Sequence, residues 1–275
     1  GGDVGEEVAP AEDVHSLERR GVGDELAVGP GVADDVEAEL VLVEIEAVDD
    51  PADVLDGLDV GDELLGAEDL VDAEHAAEGE AAPAYGGRLD RFRRHVVHSR
   101  PGIFVIYDDL VAKTPSTYQW LLHSFSKMNI SGNRISTRRD HASMDVVVLL
   151  PEEVEISQTD KYDPEPEAVG AEPTAYANSW HLTVGTPKQE QTGRFLTVLM
   201  VEKKGQEDRF PKVNLLEGKG CLAVGLTYPD DTNETIAFRT RSDGRIDCRD
   251  LQADARVAAV ARDGNGKEVR RLQIP

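Results

Sequence analysis

Residues 90–124 read DRFRRHVVHSRPGIFVIYDDLVAKTPSTYQWLLHS, and three extended runs lie in them in close order. Arg93 to Ser99 ends at Arg100-Pro101-Gly102, a turn signal because proline fixes φ and glycine tolerates positive φ. Ile103 to Tyr107 follows, rich in β-branched and aromatic residues, and stops at Asp108-Asp109. Thr117 to Ser124 is the third run. With the period of two that a strand imposes, Tyr118, Trp120 and Leu122 share one face, and Gln119, Leu121 and His123 the other. The expectation is an antiparallel meander whose apolar central strand lies in the middle of a sheet.

Downstream, Ser131-Gly132-Asn133 marks a turn and Arg134 to Arg138 a short strand. Asp145 to Leu150 is apolar enough for a buried strand and is closed by Pro151. Residues 157–179 form a long polar connection with three prolines, a length that is often functional inside a domain. His181 to Val184 and Phe195 to Val201 supply two more strands. The tail adds a strand over Cys221 to Tyr228 and two hairpins. One runs from Thr235–Arg241 to Arg245–Cys248 across Ser242-Asp243-Gly244. The other runs from Ala255–Arg262 to Lys267–Ile274 across Asp263-Gly264-Asn265-Gly266. No amphipathic helix is visible after Tyr85.

Composition divides the chain sharply. Residues 1–84 hold 27 acidic and two basic residues, Arg19 and Arg20, which is the whole net charge of −25. The remaining residues balance 27 acidic against 27 basic, so no basic excess points to nucleic acid or an anionic membrane as partner. The acidic segment has no aromatic, Lys, Cys, Met, Asn, Gln or Thr. Such a segment is expected to lack stable tertiary structure. Its dominant residues (Gly, Ala, Val, Asp and Glu) are also those whose codons begin with G, the composition of a GC-rich gene read on the wrong strand. A genuine disordered tail and a mis-framed segment both fit. The chain begins with Gly and shows no leader, so it reads as processed or as a fragment.

The meander also resembles the β-sheet domain of the heparinase II/III-like proteins, a family of polysaccharide lyases and relatives. The resemblance rests on FRRHVVHSRPGIFVIYDDL and WLLHS, then Val148 to Glu152, Ser157 to Asp160, Trp180 to Thr183, and Arg194 to Leu199, in that order. It covers roughly residues 85–205 and, less completely, the chain to 275. It implies an all-β fold: an antiparallel β-sandwich over 85–205, a hairpin-rich β unit over 206–275, and the acidic segment 1–84 outside both. It further implies β-elimination on an acidic, uronate-containing polysaccharide, in a secreted or periplasmic setting. A non-catalytic carbohydrate-binding or scaffolding sandwich is the rival reading.

Elimination needs a base near neutrality, an acid for the leaving oxygen, and positive charge or hydrogen bonds for the enolate. The resemblance places most of those groups, and any metal site, in a domain preceding the sheet. Here that region offers only His15, His75, Arg19 and Arg20. No cofactor or metal is expected from this chain, because no Cys/His spacing fits zinc and no glycine loop fits a phosphate. Weak substrate-binding candidates remain. Arg94, with Arg91 and Arg93, suits a sugar carboxylate. His123 faces away from Trp120 and is the one catalytic candidate. Tyr176, in the proline-rich connection, suits stacking on a pyranose. Solvated strand faces and packing are the bland readings of each, and for His181 beside Trp180 an edge or core position is expected. Cys221 and Cys248 either pair, in an oxidising compartment, or serve as small buried hydrophobes.

Overall fold

The computed structural model describes residues 75–161, 179–241, 244–249 and 251–275, together with the backbone of 39–42. All of these lie in the unit Glu37–Pro275. The strands in chain order are β1 Glu39–Leu42, β2 His75–Glu80, β3 Leu89–Ser99, β4 Ile103–Ser124, β5 Asn129–Ser131, β6 Arg134–Arg138, β7 Ala142–Leu150, β8 Glu155–Thr159, β9 Trp180–Gly185 and β10 Glu190–Lys203. There follow β11 Lys212–Gly218, β12 Cys221–Thr227, β13 Asn233–Arg239, β14 Ile246–Cys248, β15 Leu251–Ala253, β16 Val257–Arg262 and β17 Glu268–Ile274. Two 3₁₀ turns are the only helical pieces among the described residues. The fold is all-β and, β1 apart, its strands pair antiparallel.

The second and third runs of the opening stretch are one strand. β4 continues for 22 residues from Ile103 to Ser124, so the expected third strand of the meander does not turn back. Pro115 sits in an exposed stretch, Lys113 to Pro115, where the strand passes from one layer to another. Up to Ala112 β4 pairs with β3 on one side and β10 on the other. Beyond Thr117 its partners are β9 and, in parallel, β1. A long strand shared by two layers needs no connecting loop, and a central proline is tolerated where ladder bonds change hands.

Three cores follow from this. Phe92, Phe104, Ile106, Leu110, Val146, Phe195, Tyr118, Trp120, Leu122, Leu182 and Val184 belong to one cluster, enclosed between the two parts of β4 and their neighbours. The opposite face of the main sheet, with Val97, Ile103, Val105, Tyr107, Leu196 and Val198, packs on Val224, Ile236, Phe238, Val257 and Ala259 of the sheet β11-β12-β13-β16-β17. The third cluster lies on the far side of that sheet, beneath the β14–β15 hairpin. Each fully buried Val, Leu, Ile or Phe in these clusters contributes roughly 1.5–3 kcal/mol relative to exposure. The boundary expected near residue 205 is therefore a change of sheet across one shared core.

Two further expectations need correcting. β13 pairs with β12 and β16, while β14 pairs with β15, so the hairpin across Ser242-Asp243-Gly244 does not form. Ala255 to Ile274 does close as a hairpin, through Asp263 N–H to the Lys267 carbonyl. The acidic segment also contributes to the fold. β2 adds to the edge of β3, and its Glu78 accepts from Arg256 at 2.9 Å and faces Arg93 at 3.4 Å. Those carboxylates neutralise arginines on the sheet, a pairing that segment composition alone does not reveal. Apart from the β1 backbone and residues 75–84, the acidic segment, including His15, Arg19 and Arg20, lies outside the described residues.

Candidate functional site

The distal half of β4 alternates, and so does β9. Tyr118, Trp120, Leu122, Leu182 and Val184 point into the core and are buried, which leaves His123 and His181 on the outer face. Antiparallel register sets these two residues directly opposite each other, and directly opposed side chains are near enough to touch. Their rings stack with centroids 4.5 Å apart and planes 11° from parallel. The Ser179 hydroxyl lies 3.3 Å from His181 Nε2, and Thr159 of β8 stands across from His181 on the next strand.

Two cation–aromatic pairs involve residues near the histidines in sequence, although Trp180, next to His181, itself packs against the inner core. Lys127 Nζ lies 4.9 Å from the Trp180 ring centre, and Arg139 Cζ lies 4.8 Å from the ring of Phe125. Phe125 is 49% exposed, one of two large apolar side chains so open among the described residues. The loop carrying Phe125 and Lys127 is held at both ends. Gln158 accepts from the Met128 N–H at 3.0 Å and donates to its carbonyl at 2.8 Å, while Ser124 Oγ and Thr137 Oγ1 are 3.4 Å apart. An aromatic face, two flexible cations and imidazole nitrogens are the groups that an anionic sugar chain engages: stacking on the ring, ion pairing to carboxylate or sulfate, and hydrogen bonds to hydroxyls.

The other sequence candidates sit elsewhere. Arg94 donates from Nε and one terminal nitrogen to Asp108 at 2.6 and 2.5 Å. Asp108 is fully buried; burial pushes its carboxyl up, and the bidentate Arg94 pair pulls it down. Arg94 is thus occupied in holding a buried carboxylate, not turned toward ligand. Its neighbours are also engaged: Arg91 with Asp109 at 2.9 Å, and Arg93 with Glu78. Tyr176 lies outside the described residues.

His95 and His98, which share the strand with these arginines, are buried packing residues. His95 stacks on Tyr107 and tilts on Phe238, and His98 stacks on Phe104 at 4.4 Å and 4°. Burial lowers the pKa of both rings below the usual histidine value. His75 stacks against His98 from the neighbouring strand β2. Asp140 and His141 are exposed. A depression of about 130 Å³ between Tyr118, Pro151, Thr186, Lys188 and Glu190 is crossed by a Lys188–Glu153 ion pair. No group of three or more potential metal ligands is present among the described residues.

Sequence reasoning placed His123 on the outer face and missed its partner. His181 read as an edge or core residue because only the β4–β9 register brings it to His123. The alternation in Trp180-His181-Leu182-Thr183-Val184 was the available signal. Lys127, Arg139 and Phe125 carry no pattern of their own, since they come from two separate turns.

No family model matches this chain, and no curated protein matches it. Among solved structures it is similar to the heparinase III BT4657 gene product, at 17% identity and a TM-score of 0.43 over 60% of this chain. A lysine-methylated form of that protein matches at 18% identity and a TM-score of 0.41, again over 60% of the chain. A heparan sulfate lyase HepC mutant from Pedobacter heparinus matches at 16% identity and 0.44 over 63%. The chain spans about a quarter of the length of these proteins, 25% and 27% for the first two named sources.

Proposed function

We propose that this chain is the β-sheet portion of a heparinase II/III-like polysaccharide lyase, and that in this form it holds an acidic polysaccharide without cleaving it. The observation that carries the reading is the stacked His123–His181 pair on the outer sheet face, with the Lys127–Trp180 and Arg139–Phe125 pairs on neighbouring segments of chain. Stacked imidazoles on an open sheet face offer hydrogen bonds to sugar hydroxyls. Lys127 and Arg139 add attraction for uronate or sulfate, which weakens as salt screens it. A lyase needs in addition a base and an acid aimed at one C5–H and its leaving oxygen, plus a group neutralising the carboxylate. The arginines suited to the last role are tied to Asp108, Asp109 and Glu78.

Binding is tested by calorimetric titration with heparan sulfate, alginate and a neutral glucan as control. Salt-sensitive binding of an acidic chain is expected, weakened at least about tenfold in a Lys127→Ala/Arg139→Ala double variant. Equal affinity for the neutral glucan, or an unaffected double variant, overturns the reading. Elimination creates an unsaturated uronate that absorbs in the ultraviolet, so a continuous absorbance assay on the same panel checks the second half. Turnover that disappears in His123→Ala would make the chain an enzyme and His123 its catalyst.

A further inference from the structure

Cys221 opens β12 and Cys248 closes β14, and both are buried as thiols with no disulfide between them. They come from different hairpins. Gly218 of β11 pairs with Cys221, and an isolated bridge between Lys219 and Asp247 lays the end of β14 over the β11–β12 turn. A Cβ built on Gly218 would fall 2.6 Å from Cys221 Sγ and 2.8 Å from Cys248 Cβ. Both cysteines therefore abut one point, and the missing side chain at 218 is what leaves room for them. The Cys248 thiol hydrogen bonds to that of Cys221. Around them lie Leu216, Ala223, Ala237, Leu251 and Ala258, and the Asp247 carboxylate is near enough to act on Cys221.

We propose that Cys221 and Cys248 are a disulfide-forming pair that staples the β14–β15 hairpin to the inner sheet. This inference is independent of the polysaccharide reading. A hairpin with three residues per strand is marginal unless something holds it down. Two thiols in contact across that junction are the residues that can do so covalently. The oxidant is a small disulfide such as oxidised glutathione. One protein thiolate attacks its sulfur and releases a glutathione thiol. The second protein thiolate then displaces the other glutathione. Overall, two protein thiols are oxidised to one disulfide, one glutathione disulfide is reduced to two thiols, and the protons pass to the leaving sulfurs. Burial pushes the Cys221 thiol up, so exchange belongs to folding or to transient opening of the hairpin.

The test refolds the full chain in a buffer of reduced and oxidised glutathione, quenches it with acid, and quantifies Cys221–Cys248-linked peptides by mass spectrometry. The same balance is measured in denaturant. The linked form is expected to be favoured at least about tenfold more in the folded chain than in the unfolded one, because a link that fits the native state is stabilised by it. The oxidised wild type should melt roughly 5–15 °C above its reduced form, as expected for a loop of this length in a domain of this size. Cys248→Ser should melt near the reduced wild type under both conditions. A folded-state preference equal to or below the unfolded one overturns the proposal. So does accumulation of glutathione adducts on both cysteines in place of the link. The wild-type comparison stands even where the serine variant fails to fold.

Discussion

β4 is one strand with two lives. From Ile103 to Leu110 it is buried on both faces, with Ile103, Val105 and Tyr107 against the second sheet and Phe104, Ile106 and Leu110 against the curled end of its own. From Thr117 to Ser124 only one face is covered, and Gln119, Leu121 and His123 stay half exposed. The sequence changes accordingly, from a continuous apolar run to strict alternation. A strand buried on both faces has no position free for ligand chemistry. The polar groups of its doubly covered half, such as Asp108 and Tyr107, must be paired or tolerated inside. Only the singly covered half can present a histidine to solvent, and there the cross-strand pair stands.

The largest effect should come from the covered face of the distal half. Trp120→Ala removes a fully buried ring from the core and should cost roughly 3–5 kcal/mol, read by chemical denaturation. A midpoint within error of wild type would mean that the curled layer adds little to stability, and the contrast between the two halves would fail.

Next is the doubly covered half. Asp108→Asn keeps the shape and removes the charge opposite Arg94, leaving a half-buried guanidinium unpaired. It should cost roughly 2–4 kcal/mol, reduced from the full buried-pair value because the Arg94 side chain retains 17% exposure. If Asp108→Asn/Arg94→Gln together were no more stable than Asp108→Asn alone, the pair would not be the source of the loss.

A smaller, pH-dependent effect separates the buried histidines from the exposed ones. Burial first, then nearby arginines, lowers the folded-state pKa of His95, with Glu78 opposing. Burial likewise leads for His98, where Arg100 and His75 also lower it. Both sit below the ordinary value of 6.5, so the unfolded chain binds protons that the folded chain refuses. Their contribution is fully present above about pH 6.5 and is lost as pH falls through that value toward the depressed folded ones. Melting midpoints between about pH 7.5 and 5 should fall with acid, and fall less steeply in His98→Phe, which keeps the ring stacked on Phe104. An unchanged slope would assign the acid loss to other groups.

The smallest change in stability should follow His123→Ala/His181→Ala. Half-exposed side chains on an outer face contribute within about 0.5 kcal/mol, so the midpoint should stay while polysaccharide affinity drops. A large loss of stability would turn the pair into a packing element and remove the basis for the site.

Strand identity was legible wherever the side-chain pattern is local. The Ile103 run, the alternation of Tyr118, Trp120 and Leu122, and the Asp263–Gly266 turn all announce themselves, because pleating and turn sterics act between residues a few positions apart. The all-β class follows from those signals, and so does the outer position of His123. Register and layer membership are not local. Nothing near Pro115 says that the two flanking runs are one strand, since that depends on β9 and β10 competing for its edges. Nothing near Thr235 says that β13 pairs with β16 across an intervening hairpin. The fate of polar residues is decided the same way. Arg94 looked free in a row of arginines until Asp108, 14 positions on, was brought beneath it by the β3–β4 pairing. His181 became part of a site, and Cys221 and Cys248 became neighbours, only when long-range packing set which faces meet. Sequence alone settled which residues prefer strands and which face each turns to. The tertiary structure settled which faces touch, because burial and cross-strand contact are properties of pairs far apart in the chain.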